Sequence, residues 1–208
     1  MLKVDRISVM NMENAIRGAR NPLNSWARMD SYYNEKGEFV LGENDLSLAT
    51  RLAKAGSDHR KYLRQVMVSM DITAPLYWWK EFDTYKVGTV ANSTSTMHKI
   101  QAKEFCRDDF SHDRLTPDAM AALDSLIVYL ESERVKFNET KERAHWHNII
   151  QLLPSSYNQL RTVTLNYEVL INIYYARHTH KLAEWHTLCD AIKALPYANE
   201  LILVKDED

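Results

Sequence analysis

From residue 65 to residue 74 the chain alternates, with Val66, Val68, Met70 and Ile72 in one register and Met67, Ser69, Asp71 and Thr73 in the other. Apolar residues at period two predict a β-strand with one buried face, and that face must be covered by another layer. Pro75 ends or kinks the strand because proline cannot donate to a ladder. Most other apolar residues recur at helical spacing. A helix is predicted to begin near Asp45 or Ser47, with Leu46, Leu48, Leu52 and Ala55 as its stripe and Gly56 as its stop. Residues 30–44 carry Gly37 and Gly42 among charges and read as a turn-rich connection or hairpin. Thr116, Pro117 and Asp118 combine a hydroxyl cap, a first-turn proline and an acid at the positive end of the dipole. Met120, Leu123, Ile127 and Leu130 continue that helix. A further helix is predicted over 139–153, with Trp146, Ile149, Ile150 and Leu153 inward and Pro154 as its end. The segment 157–194 reads as predominantly helical, with Val163, Leu170, Ile173 and Tyr174 in the core. Helices outnumber strands, so the predicted class is α+β.

A chain of 208 residues is long enough for one self-sufficient core, and no internal repeat or linker interrupts it, so a single domain over 1–208 is expected. Only five glycines and five prolines occur, which excludes collagenous and low-complexity classes. The formal net charge of −2 gives no global attraction to nucleic acid or an anionic membrane. Lys3, Asp5, Arg6, Glu13, Arg17 and Arg20 break up the first twenty residues, leaving no secretory apolar core. The strongly apolar runs 72–79 and 169–176 are too short to cross a bilayer. Cys106 and Cys189 lack any CxxC partner, which fits a reducing compartment. A cytoplasmic, soluble protein is therefore expected.

Among the eight histidines, His180 and Glu184 stand four apart with His186 nearby, so a metal site is conceivable. The pairs His145/His147 and His178/His180 are spaced by two, which on a helix sends them to different sides, and no metal site is expected. Cys189 lies three residues from His186, but neither cysteine has a recognisable activating base. No Walker loop, Rossmann glycine pattern, HExxH or GxSxG occurs, and no catalytic residue is assigned.

Residues 58–86, DHRKYLRQVMVSMDITAPLYWWKEFDTYK, carry a histidine opening a short helix, an alternating strand, a proline and then an aromatic and basic tract. This segment resembles the core of the flavin-dependent thymidylate synthases. The hydroxyl-rich stretch VGTVANSTSTMHK follows, with Thr89, Asn92 and Ser95 in the region of that family's Ser/Asn/Ser pattern. Near the C-terminus, Leu153 and Pro154, Tyr157, Asn166, Arg177 and the Ala183, Glu184, Trp185 run are similar to further family landmarks. The two blocks cover most of residues 45–200.

The resemblance implies a thymidylate synthase-complementing-protein-like fold, a mixed sheet packed with long helices, assembled as a homotetramer with active sites at subunit junctions. It implies FAD as cofactor and a pyrimidine nucleotide as ligand, with hydride and methyl transfer in an active member. By the same resemblance, His59, Trp79, Lys80, Tyr85 and Lys86 face the cofactor, and Thr89, Asn92, Ser95 and Arg177 face the nucleotide. Trp78 and Trp79, read as strand neighbours, point to opposite faces, so at most one offers its ring to a flavin. Lys80, Lys86, Arg60, Lys61 and Arg64 read either as a phosphate-gathering group or as a solvated basic face. The family's Arg-His-Arg triplet becomes Thr84, Tyr85 and Lys86, and its phosphate-binding arginine after the asparagine landmark becomes Glu168. The late arginine that contacts the pyrimidine falls near Leu195 and Pro196. A catalytically inactive homologue, repurposed for nucleotide binding or regulation, is the alternative reading.

Overall fold

The structure is a computed structural model that describes residues 2–204. In chain order its elements are β1 (Lys3–Met10), α1 (Met12–Ala19), β2 (Tyr32–Tyr33), β3 (Phe39–Val40), α2 (Glu43–Lys54), β4 (Met67–Pro75), α3 (Leu76–Phe82), β5 (Val90–Ser93), α4 (Thr96–Lys99), α5 (Pro117–Thr140), α6 (Arg143–Leu152), β6 (Asn158–Asn166), α7 (Tyr167–Arg177), α8 (Ala183–Lys193) and α9 (Ala198–Leu201). Short 3-10 turns occur at Asn21–Leu23, Trp26–Arg28, Arg60–Gln65 and Arg107–Asp109. Four strands form a sheet in the order β1-β4-β6-β5, and β2 pairs antiparallel with β3.

The described residues group into two compact units, whose boundary falls within β4 and within β6. The first comprises Ile72–Thr84 and Asn92–Arg161 with residues 2 and 3. Its helical core gathers Leu123, Ile127 and Leu130 of α5, Ile149 of α6, and Ile100, Phe105 and Phe110 from the loops. The start of α5 is as its sequence predicts, with the Thr116 hydroxyl accepting from the Ala119 amide at 3.4 Å. Glu133 of α5 is buried, and its carboxylate takes Lys136 Nζ at 2.8 Å, Asn148 Nδ2 at 2.7 Å and His145 Nδ1 at 2.8 Å, which ties α5 to α6. These contacts, led by the Lys136 ammonium, hold its carboxyl down at about 2.

The second unit comprises Val4–Asp71, Tyr85–Ala91 and residues 162–204. Its core includes Ile16, Leu63, Val66, Met70, Val163, Tyr167, Leu170 and Trp185. The 3-10 segment Arg60–Gln65 is packed by α1, α2 and α7. Asp30 supplies the missing cap of α2, its carboxylate accepting from the Asn44 and Asp45 amides at 2.8 and 3.0 Å. Gly42 precedes the helix because any Cβ there collides with Asp30.

The segment 157–194 departs from its helical expectation: residues Asn158–Asn166 are strand β6, where Val163 and Leu165 face inward between Thr162 and Thr164. The helix expected over 139–153 is α6 alone, because α5 continues to Thr140 and Lys141 closes it at φ 62°. Trp78 and Trp79 lie on helix α3 rather than on a strand, since Pro75 adopts the cap position and the Leu76 and Tyr77 amides donate to the Tyr157 and Ser155 carbonyls, each at 3.0 Å. Among the described residues no helix is long and apolar enough to cross a membrane.

Candidate functional site

After α2 the chain turns at Gly56, whose carbonyl accepts the amides of His59 and Arg60 at 3.1 Å. That turn leaves His59 exposed at the start of the 3-10 segment, while Tyr62 and Leu63 anchor the segment in the core. His59 lines a cleft of about 580 Å³ together with Arg51, Lys61 and Arg64. Leu48, Leu52 and Tyr62 contribute apolar surface, and the Tyr62 hydroxyl is held by the Ala49 carbonyl at 2.8 Å. The rim carries three cations against one carboxylate, Asp58, over an apolar lining, which suits a planar ring carrying anionic groups. Arg51 was absent from the sequence-based candidates; its place three residues after Leu48 on α2 was the available signal.

Arg60, next to His59, is buried. Its Nε meets the two carboxylate oxygens of Glu168 at 3.2 and 3.1 Å. The Glu168 carboxylate is thus matched by a local cation. Glu168 stands in the first turn of α7, where Asn166 accepts the Val169 amide at 3.0 Å and closes the helix end. The loop 85–89 passes against this cap. Gly88 has φ 74°, and a Cβ there would lie 3.1 Å from Asn166 Nδ2 and 3.2 Å from Val169 Cγ2. Beside it the Thr89 hydroxyl oxygen is buried with no hydrogen-bond partner among the described residues.

Tyr85 and Arg177 are brought together. The Arg177 Nε–H donates to the Tyr85 hydroxyl at 2.9 Å, and the guanidinium lies 4.6 Å from the centre of the Trp185 ring. Tyr85 meets the same ring edge-on at 6.0 Å. Arg177 is therefore oriented by an aromatic pair, while Lys86 is exposed on the loop that follows.

In the other unit Trp79 is only 1% exposed. Its indole N–H donates to the Gln159 carbonyl at 3.0 Å, and the Arg161 guanidinium covers its ring at 4.2 Å. Trp78 and Phe82 pack against it. The expectation that neighbouring tryptophans face opposite ways fails here, because both are interior residues of a helix. Lys80 on the same helix is exposed. Asn92 and Ser95 are exposed, and Ser95 caps α4 by accepting the His98 amide at 3.1 Å.

Burial pushes the Cys189 thiol up to about 11, which opposes thiolate formation. His180 Nδ1 accepts from the Leu182 amide at 3.2 Å. Among the described residues no group of three or more His, Cys, Asp or Glu side chains is placed to hold a metal ion.

The sequence matches no protein-family model and no curated protein. Solved structures do match. Thymidylate Synthase X (ThyX) from Helicobacter pylori with FAD and dUMP superposes with a TM-score of 0.69 at 16% identity, over 97% of this chain and 97% of that one. A second structure of the Helicobacter pylori enzyme, also complexed with FAD and dUMP, gives 0.70 at 16% identity over 98% and 100%. The UMP/dUMP methylase PolB from Streptomyces cacaoi, bound with 5-Br dUMP, gives 0.59 at 12% identity over 93% and 88%. Over nearly its whole length, then, the chain has the fold of the flavin-dependent thymidylate synthases.

Proposed function

We propose that this protein binds FAD and a pyrimidine nucleotide, and that in its active form it is a methyltransferase of the flavin-dependent thymidylate synthase type. The observation that carries the reading is the His59 cleft, rimmed by Arg51, Lys61 and Arg64 over apolar surface, on a fold shared end to end with a synthase described with FAD and dUMP. One further feature fits a nucleotide ligand: the buried Thr89 hydroxyl oxygen, which has no hydrogen-bond partner among the described residues. His59, Lys61, Arg64 and Lys86 would hold the cofactor and its phosphates, with Tyr85 set in place by Arg177. A flavin held there supplies hydride transfer. The chain's own part is orientation and charge: Arg177 keeps its guanidinium beside Tyr85, and Arg60 neutralises Glu168 so that the carboxylate does not repel an approaching phosphate.

The cations Lys61, Arg64 and Lys86 are exposed in the single chain, as is His59, which leaves them open to a second subunit of the proposed homotetramer. Trp79, Lys80, Asn92 and Ser95 belong to the proposal through family resemblance, and the burial of Trp79 makes it the weakest member of that set.

The Arg60–Glu168 pair favours a second reading, a binding protein without catalysis, because an arginine that would serve phosphate is engaged by a carboxylate. Visible absorbance of the purified chain before and after adding FAD, with a calorimetric titration of dUMP and a turnover assay, separates these outcomes from failure. Uptake of FAD with turnover of a deoxyuridine monophosphate supports the enzyme. Uptake of either ligand without turnover supports the binding protein, and a colourless chain that binds neither ligand refutes both. Lys86→Ala is expected to weaken FAD binding about tenfold, the loss of one charged contact; unchanged affinity removes Lys86 from the site.

A further inference from the structure

A second cluster of cations, which shares Arg51 with the His59 cleft, lies where the chain leaves α1. Residues 20–28 fold through two 3-10 turns, Asn21–Leu23 and Trp26–Arg28, joined at Asn24 with φ 49°. This path brings Arg20 and Arg28 to a cleft of about 440 Å³ that also receives Arg51 from α2. Ser25, Asn44 and Ser47 add polar groups, and no carboxylate is among the lining residues.

Arg20 is the unusual member. It is 3% exposed, its Nε donates to Asp45 Oδ1 at 2.6 Å, and its Nη1 donates to the Ser25 carbonyl at 3.3 Å. Its Nη2 is buried and has no hydrogen-bond partner among the described residues. The second carboxylate oxygen of Asp45, Oδ2, is taken by the Asp30 and Ser31 amides and the Ser31 hydroxyl. A buried guanidinium nitrogen left unpaired is costly and rare, and marks a place where a partner belongs. Asp45 offsets one of the three positive charges, leaving two.

We infer that this cleft is an oxyanion site, taking the phosphate or carboxylate terminus of a small ligand between Arg20, Arg28 and Arg51. Guanidinium forks match both groups through paired N–H donors. The ligand's apolar portion has a path, because Leu23, Leu48 and Arg51 line both this cleft and the one at His59. The site goes beyond the flavin and nucleotide contacts proposed above and does not depend on them.

The test is a titration of the full chain with inorganic phosphate, and separately with glutarate, at constant ionic strength. The guanidinium resonances of Arg20 are followed by NMR. A saturable shift is expected, and Arg28→Gln is expected to weaken it about tenfold. Arg28 lies on the surface and lines this cleft but not the His59 cleft, so the variant leaves the fold and the other cleft intact. Lys61→Gln, which alters only the His59 cleft, is expected to leave the Arg20 titration unchanged. Saturation by phosphate alone assigns a phosphoryl ligand, and saturation by glutarate alone a carboxylate ligand; saturation by both supports the site for either class. Absence of a saturable shift with both anions overturns the proposal, as does an unchanged affinity in Arg28→Gln or an equal loss in Lys61→Gln.

Discussion

Replacing Asp45 by asparagine tests whether the second unit depends on one buried carboxylate. Asp45 has no measurable exposure and accepts from four donors: Arg20 Nε, the Asp30 amide, the Ser31 amide and the Ser31 hydroxyl. Asparagine offers one carbonyl oxygen in place of two carboxylate oxygens, and its amide would point at groups that themselves donate. Arg20 would also keep its charge at 3% exposure without its counter-ion. Breaking a buried pair from one side costs about 3–5 kcal/mol. For a chain of this length that is roughly a 6–20 °C fall in Tm, and a large share of a typical total of about 5–15 kcal/mol. Urea unfolding at pH 7, followed by circular dichroism and tryptophan fluorescence together, measures it. Acid supplies a second readout. Burial pushes the Asp45 carboxyl up, but hydrogen bonds from Ser31, Arg20 and the Asp30 and Ser31 amides outweigh it and leave it below its ordinary 3.8. A carboxyl lowered in the folded state stabilises fully above that ordinary value and loses the contribution as pH falls through the folded one. The gap between native chain and variant should therefore narrow below pH 3.8. A loss under about 1 kcal/mol at pH 7, well short of the cost of breaking a buried pair, would refute the reasoning.

Glu133→Gln should destabilise the α5/α6 pairing by about 1–3 kcal/mol at pH 7, because three donors converge on that carboxylate. Its depressed carboxyl dictates that the difference from the native chain fades between the ordinary 4.5 and about 2, which denaturant titrations across that window will show. Gly88→Ala forces a left-handed residue and a Cβ against the Asn166 cap, so a loss of about 1–2 kcal/mol is expected in thermal unfolding; an unchanged Tm would mean that the loop simply moves aside.

Strand β4, the β2/β3 hairpin and α5 were legible because their signals are local: strict alternation, turn glycines, a cap beside a proline; α2 forms where expected, but its buried face is Asp45, Ala49 and Ala53 rather than the stripe of Leu46, Leu48, Leu52 and Ala55. Strand β1 was not, since Arg6 at φ 51° breaks the alternation of Val4, Ile7 and Val9. The inward pattern of β6 is confined to Val163 and Leu165 and is followed at once by the apolar helix α7, whose period dominates the segment. Helix α3 begins after Pro75 only because carbonyls some eighty residues later receive its first amides, a partnership that local spacing does not encode. The same limit holds at the candidate site. His59, Tyr85 and Arg177 were identifiable by resemblance, whereas the pairings that fix their surroundings, Glu168 on Arg60 and Arg177 on Tyr85, span 108 and 92 residues.

The placement of the five tryptophans gives the molecule built-in optical reporters. Trp78, Trp79 and Trp185 are sealed from solvent, so their emission should lie to the blue and resist iodide, while Trp26 is 41% exposed and open to a quencher. Trp26 is held by Asn21 through its indole N–H at 2.9 Å and sits under the Arg17 guanidinium. It also opens the turn that ends at Arg28. Trp146 is half-buried, so collisional quenching is weighted toward Trp26 and the neighbourhood of the arginine cleft, without any label having to be introduced.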